Sequence, residues 1–218
     1  MATSEEHYSN LLGPVYAWMA GGPSHAFSTG AADLEGYLPA ASFAIDLGCG
    51  FGMHAVPLAR AGWTVLGIDS SSILIDELRE HAVDLPVTAT VGDLVEFTAH
   101  LSSEQRPDLI ICMGDTLTHL PAWQSVSQLA KRIASTLSPN GRFVATFRDY
   151  TRLPQGPARF IPVRADDDRV LTCFLEEHPD HVEVHDLLHA RKDKQWALSV
   201  SSYRKLRLRP TDVLAEFE

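Results

Sequence analysis

The segment Phe43 to Gly52 (FAIDLGCGFG) joins a short apolar run to a helical one. Gly48, Gly50 and Gly52 let the backbone turn tightly and approach a ligand closely, and the helix start behind them offers free N–H groups. A Gly-x-Gly-x-Gly turn is a weak signal alone, and the related Gly-x-Gly-x-x-Gly binds pyrophosphate. Asp46, two residues before Gly48, would repel a pyrophosphate and attract a cation or a ligand ammonium group. Acids recur at the ends of the next two apolar runs: Asp69 follows Val65-Leu66-Gly67-Ile68, and Asp93 follows Val91-Gly92. Asp69, 23 residues after Asp46, has the spacing to bind both hydroxyls of a ribose. Asp93 suits the amino group of an adenine. Any one of these acids would also serve as a helix cap. Three at successive strand ends point to one ligand site.

The elements that must position these acids are legible from the pattern. Apolar runs at Ser42–Leu47, Trp63–Ile68, Val87–Val91, Pro107–Met113 and Arg142–Arg148 alternate with helical stretches at Met53–Ala61, Ser72–His81 and Trp123–Leu137. Ser70 or Ser71 is placed to cap the second of these, and Ser138-Pro139-Asn140-Gly141 stops the third. Strands alternating with helices predict βαβ units, and fully apolar strands predict a parallel sheet covered on both faces. The first 40 residues predict two short helices broken at Gly21-Gly22-Pro23. After Tyr150, Arg169–Glu177, His181–Ala190 and Gln195–Arg209 alternate in period two, separated by turn sequences, which predicts a three-stranded antiparallel meander; Asp212–Glu218 begins a helix. The expected fold is therefore α/β: a Rossmann-like, doubly wound, mostly parallel sheet with an antiparallel three-stranded elaboration. We divide the chain into an N-terminal helical lid (1–40), a cofactor-binding core (41–150) and a meander with the start of a last helix (151–218), all in one domain.

The motifs DLGCGFG, GIDSS (67–71), VGDL (91–94), PDLIICMGDTLTHLP (107–121) and LSPNGRFVATF (137–147) occur in order. They resemble the ordered motifs of class I S-adenosylmethionine-dependent methyltransferases. The resemblance covers roughly residues 40–150. It implies S-adenosylmethionine as cofactor and S-adenosylhomocysteine as product. The implied cofactor set is Asp46, Gly48, Cys49 and Gly50 around the methionine part, Asp69 and Ser70 at the ribose, Gly92, Asp93 and Leu94 at the adenine, and Met113 and Gly114 near the sulfonium. Tyr16 joins them as a lid aromatic, since aromatic faces attract cations. ICMGDTLTHLP and FRDYT are similar, more narrowly, to the glycine and sarcosine N-methyltransferase branch, in which an Arg after strand five holds the acceptor carboxylate; here that residue is Arg148. Asp115 and Asp149 stand where that branch has Asn, adding negative charge near the acceptor and leaving room for an amine or a larger acceptor.

Methyl transfer from a sulfonium needs alignment and exclusion of water. A hydroxyl acceptor also needs a general base, for which His119 is the candidate, with Arg148 and Tyr150 completing the expected catalytic set. N-methylation is slightly favoured over O-methylation. No metal is expected. His181, His185 and His189 share a strand face with Glu183, but ligands four residues apart on a strand lie roughly 13 Å from one another. Arg204, Lys205, Arg207 and Arg209 read as the exposed face of the last strand, or as a surface for an anionic acceptor.

Composition narrows the partners. Lys and Arg number 18 against 28 Asp and Glu, a net charge of −10, which disfavours nucleic acid and suits a cationic cofactor and a small-molecule acceptor. No apolar run approaches the roughly 18 residues of a membrane span, and three scattered Cys make no disulfide framework, so a cytoplasmic setting is expected. Two other functions fit parts of the pattern, an NAD-dependent oxidoreductase and a non-catalytic S-adenosylmethionine-binding protein. The resemblance also implies a final hairpin that the chain does not reach. Either the chain is shortened before it, or the meander or a partner subunit replaces it, and an exposed sheet edge would favour a homodimer.

Overall fold

The computed structural model describes residues 3–102 and 104–218. Strands β1 (Phe43–Leu47), β2 (Thr64–Asp69), β3 (Val87–Val91), β4 (Leu109–Cys112) and β5 (Arg142–Ala145) form a parallel sheet in the order β3-β2-β1-β4-β5. The central strands β1, β2 and β4 are short and apolar because both of their faces are covered, while the edge strands β3 and β5 stay partly exposed. In β4, Leu109 and Ile111 enter the core on one side and Ile110 and Cys112 the core on the other, and all four are fully buried. The first core packs helices α3 (Pro23–Asp33), α4 (Ala55–Arg60) and α5 (Ser72–His81) against the sheet. The second packs α6 (Trp123–Thr136) and α7 (Pro210–Phe217). Ser71 caps α5 through the Leu74 amide, as expected.

Strand order reverses between β1 and β4, so a crevice opens at the C-terminal ends of β1 and β4, where open α/β sheets bind ligands. The carboxyl ends of β1, β2 and β3 carry the glycine turn, Asp69 and Asp93 to that edge.

The second sheet is antiparallel but has four strands, not three: β6 (Phe160–Ala165), β7 (Arg169–Glu177), β8 (His181–Lys192) and β9 (Gln195–Leu206). The extra strand, β6, is an edge strand with Pro162 in it and a register shift between Pro162 and Arg164, which hides its period-two pattern. Asp193 and Lys194 both take positive φ in the two-residue β8–β9 turn, the geometry of a tight hairpin.

The N-terminal segment is more divided than two helices. It runs as α1 (Ser4–His7), a π-turn at Tyr8–Leu12, a 3-10 turn at Gly13–Val15, α2 (Tyr16–Met19) and then α3, with the break at Gly21-Gly22 as expected and Pro23 starting α3. Two anchors dock this segment on the second sheet. His7, fully buried, places Nε2 3.0 Å from Asp186 Oδ2 and Nδ1 2.8 Å from Ser201 Oγ. Trp18 Nε1 donates to Asp166 Oδ2, and the Arg169 guanidinium lies over its ring. Leu11 and Leu12 pack with Leu171 and Leu188. Tyr8 and Tyr16 are thereby fixed over the sheet edge.

Candidate active site

Two cavities meet at the ligand edge of the parallel sheet. The first, about 440 Å³, is lined by Tyr8 and Tyr16 from the N-terminal segment, by Gly48 and Gly50, and by Asp69 and Ser70 after β2; Gly92, Asp93 and Leu94 after β3 complete it, with His119 beyond β4. Its size is that of small-ligand sites. The second, about 450 Å³, lies between His119 and the β8–β9 end of the second sheet, where Asp180, His181, Arg204 and Lys205 line it. Ser4, His119, Leu120 and Pro121 belong to both.

The glycine turn is built by conformation and by close approach. Gly48 (φ +75°) and Gly50 (φ +52°) adopt left-handed backbone, and a Cβ on Gly48 would collide with the Thr116 side chain. Asp69 latches the turn: Oδ2 accepts from the Gly50 amide and Oδ1 from the Ser71 amide, both at 2.8 Å. Burial pushes this carboxyl up and the backbone amides pull it down, leaving it raised. Asp93 lines the cavity and also accepts from the Val95 amide, so it holds both the site position and the helix-cap position expected of it. Tyr16 packs edge-on against Phe51 and beside Tyr8.

Asp46 is 1% exposed, and its oxygens have no hydrogen-bond partner among the described residues. Burial and then the charge of Asp69 raise its pKa to about 8, and the Ala55 amide at the start of α4, near but outside hydrogen-bond geometry, offsets this only in part. An orphaned buried carboxylate beneath a glycine turn is the kind of group a bound cation satisfies.

Four residues expected around the ligand do not line the first cavity. Besides Asp46, Cys49 turns its sulfur under β2, where a Cβ on Gly67 would come within 2.9 Å of it; burial raises that thiol far above its ordinary range, so it is inert. Met113 belongs to the α4–α5 side of the core. Gly114 is exposed and donates its N–H to Thr146 Oγ1 at 2.8 Å.

Beyond β5 the structure sets two expected residues apart from both cavities. Arg148 and Tyr150 line neither cavity. Both instead serve Asp115: the Arg148 amide donates to Oδ1 at 2.8 Å and the Tyr150 hydroxyl to Oδ2 at 2.7 Å. Strand β5 ends at Ala145, so the segment turns away before Arg148, whose side chain is 65% exposed. Lys205 is not on an exposed face. It is buried, and its Nζ donates to Asp115 Oδ2 at 2.6 Å. Burial pushes Asp115 up, but the charge and hydrogen bond of Lys205, with Tyr150 and the Arg148 amide, hold it below its ordinary value. Burial lowers Lys205 despite Asp115. The pair is charge against charge. The negative charge expected from Asp115 is thus neutralised inside the protein. Asp149 is spent locally on Thr151. His54 pairs with Asp33 at 3.2 Å and stays out of the site.

His119 stacks on Tyr203 (5.3 Å between centroids, 3° between planes) and meets Tyr8 edge-on. Burial first, then the Lys205 charge, push its imidazole well below 6.5, so it is neutral near pH 7. Tyr203 had no local sequence signal as a site residue; the second sheet brings it and Lys205 in from far along the chain.

Comparison with known proteins places this geometry. A family profile described as a methyltransferase domain matches residues 44–141. A mitochondrial ubiquinone biosynthesis O-methyltransferase of Arabidopsis thaliana is 32% identical over 100 residues, covering 46% of this chain and 30% of that protein. A ubiquinone biosynthesis O-methyltransferase of Coxiella burnetii is 34% identical over 100 residues, 45% of this chain and 40% of its own. The chain thus spans less than half the length of these curated relatives. Among solved structures, the CcbJ methyltransferase of Streptomyces caelestis has a TM-score of 0.79 at 25% identity, covering 96% of this chain and 84% of its own. Streptomyces venezuelae DesVI, at 18% identity and a TM-score of 0.72, covers 94% and 87% and shares the fold. Sheet order, glycine turn and strand-end acids match the methyltransferase domain that the profile describes over residues 44–141, in the fold of S-adenosylmethionine-dependent methyltransferases. The cofactor of that domain is S-adenosylmethionine, and the residues fit it: an open glycine cradle, acids at two strand ends on the cavity wall, and an orphaned carboxylate below. No helix among the described residues is long and apolar enough to cross a membrane.

Proposed function

We propose that the protein transfers a methyl group from S-adenosylmethionine to the nitrogen of a small amine that also carries an anionic group. The observation that carries this reading is the meeting of two cavities at His119, one walled by strand-end acids and the other by Arg204 and Lys205. S-adenosylmethionine supplies an activated methyl on a positively charged sulfur. Asp69 accepts from the ribose hydroxyls with the lone pairs that Gly50 and Ser71 leave open, and Asp93 and Leu94 hold the adenine. Asp46, once ionised, balances the cationic end. Tyr8, Tyr16 and Tyr203 exclude water and stabilise cationic character, and Arg204 on the wall of the second cavity draws the anionic group of the acceptor to the far side of His119. The Gly-Asp-Thr-Leu-Thr-His run after β4 supports the likeness to the glycine and sarcosine branch, with Asp115 and Tyr150 bracing the acceptor wall rather than touching substrate. Free, buried thiols at Cys49, Cys112 and Cys173 fit a reducing cytoplasmic setting.

The test is a labelled-methyl screen over amino acids, other amines, phenols and carboxylic acids. Label on amines bearing a carboxylate or phosphate supports the reading; label confined to phenols refutes it.

His119 supplies a second measurement. A neutral imidazole at the junction is placed to take the acceptor's proton, so His119→Ala is expected to lower kcat/KM by about 10²-fold or more at pH 7. For an amine acceptor the deficit should shrink as the pH nears the amine's own pKa, because the lone pair is then free without help. A deficit constant with pH indicates a hydroxyl acceptor instead.

A further inference from the structure

Outside the methyl-transfer site, the β7–β8 turn gathers a second set of chemistry-bearing residues. His178 and His181 bracket the turn, closed by the His178 amide donating to the His181 carbonyl at 3.1 Å. Their rings stack parallel at 4.4 Å. Glu183 is two residues along β8 and so on the same face as His181. One ligand atom from each of the three lies within 4.8 Å of the other two. The strand-spacing argument against a metal holds for His181, His185 and His189, but it leaves out His178, which the turn folds back.

The second coordination layer is already in place. Asp180 Oδ1 lies 2.7 Å from His181 Nδ1, which fixes the proton there and turns the Nε2 lone pair inward. Ser202 Oγ donates to Glu183 Oε1 at 2.6 Å, leaving Oε2 facing His178 Nε2 at 3.7 Å. Arg207 donates to the His178 carbonyl at 2.9 Å and pins the turn. Arg204, opposite Glu183 in the β8–β9 register, adds a positive charge nearby, and the acids Asp180 and Glu177 add negative ones. What the arrangement leaves over is the two imidazole nitrogens: His178 Nε2 and His181 Nε2 are buried with no hydrogen-bond partner among the described residues, and His181 as a whole is 8% exposed.

We propose that His178, His181 and Glu183 bind one divalent first-row transition-metal ion, zinc being the best match to two imidazoles and a carboxylate. With the three ligand atoms all within 4.8 Å of one another, an ion at their centre would lie at most about 2.8 Å from each, so inward side-chain shifts of under about 1 Å reach bonding distance. The neighbouring set of Glu176, Glu183 and His185 offers one imidazole nitrogen only, and Glu176 already holds it at 3.0 Å. Because His181 also lines the second cavity, the ion would stiffen that cavity's wall; its binding does not rest on the methyl-transfer reading.

The experiment uses the full chain without a polyhistidine tag, stripped with a chelator and titrated with Co²⁺ by visible absorption, followed by Zn²⁺ competition and elemental analysis. One equivalent per chain is expected. His178→Ala and Glu183→Gln are each expected to weaken affinity at least tenfold, and His185→Ala to leave it within twofold. The His178 side chain is about one-third exposed, so His178→Ala keeps its fold and decides the matter if Glu183→Gln does not. Absence of a stoichiometric ion, affinity unchanged in His178→Ala, or loss of binding in His185→Ala overturns the proposal.

Discussion

Lys205→Met is expected to destabilise the protein by about 3 kcal/mol, near the lower end of what removing one partner of a buried ion pair costs. Methionine keeps most of the volume, so little of that loss is packing. Most of it is the charge of Asp115, 16% exposed and deprived of its shortest hydrogen bond. The Tyr150 hydroxyl and the Arg148 amide remain, and Arg148 Nε lies 3.7 Å away, which is why the loss should stay near the low end. For a chain of this length it corresponds to a fall in Tm of roughly 6–12 °C. The pH dependence gives the sign. In the native protein Asp115 titrates below its ordinary 3.8, so its contribution is present above that value and is lost as the pH falls through the folded pKa. Without Lys205, burial prevails and the carboxyl rises. Its contribution is then largest in acid and is lost as the pH rises through the new value. The gap between variant and native protein should therefore widen from acid to neutral pH. Adding Asp115→Asn to Lys205→Met should recover most of the stability. Thermal melts of the two single variants and the double variant across pH 4–8 measure this. Equal melting of Lys205→Met and the native chain, or no recovery in the double variant, would show that the pair is not coupled.

That pair also marks where sequence reasoning stops. The parallel sheet was legible because its central strands are buried on both faces and read as apolar runs, as Leu109–Cys112 does. Boundaries such as Ser72–His81 were legible because capping is local: Ser71 reaches an amide three residues on. The first cavity was legible for the same reason, since Gly48, Gly50, Asp69 and Asp93 sit at strand ends and the strands are parallel neighbours. The acceptor wall was not. Lys205 alternates with Leu206 as any surface strand would, and its partner lies 90 residues earlier. A lysine is seldom buried, so pattern alone puts it outside. His7 and Asp186, 179 residues apart, are hidden in the same way. Arg148 and Tyr150 stand outside both cavities because a motif gives order along the chain but not the turn that sets the Arg148 amide and the Tyr150 hydroxyl on Asp115. His178 and His181 are a milder case: their proximity follows from a tight turn, a local feature that strand spacing alone passes over.

Asp69→Asn is expected to cost about 2–3 kcal/mol of S-adenosylmethionine affinity, roughly 30- to 150-fold, although the side chain keeps its shape. The two carboxylate oxygens receive one amide each, from Gly50 and Ser71. An asparagine accepts one of them and turns its own NH₂ toward the other, so either the glycine turn or the α5 cap loses its latch. The same exchange removes the charge that helps hold Asp46 up at about 8. Asp46 is a carboxyl with a raised folded pKa, so its stabilising contribution is full below the unfolded value and is lost as the pH rises through about 8. The cofactor-free protein should accordingly lose stability between about pH 4 and 8. Asp69→Asn should shorten that window from its upper end, and Asp46→Asn should abolish it. With the cofactor the logic reverses. A cationic ligand favours ionised Asp46, so binding near pH 7 should release roughly 0.9 proton from a group of pKa about 8 and strengthen as the pH rises toward that value. Calorimetry of S-adenosylhomocysteine and S-adenosylmethionine binding in buffers of different ionisation enthalpy reads that proton directly. Proton release that persists unchanged in Asp46→Asn would assign it to another group. An Asp69→Asn affinity within threefold of the native value would mean that the carboxylate shapes the turn without holding the ribose.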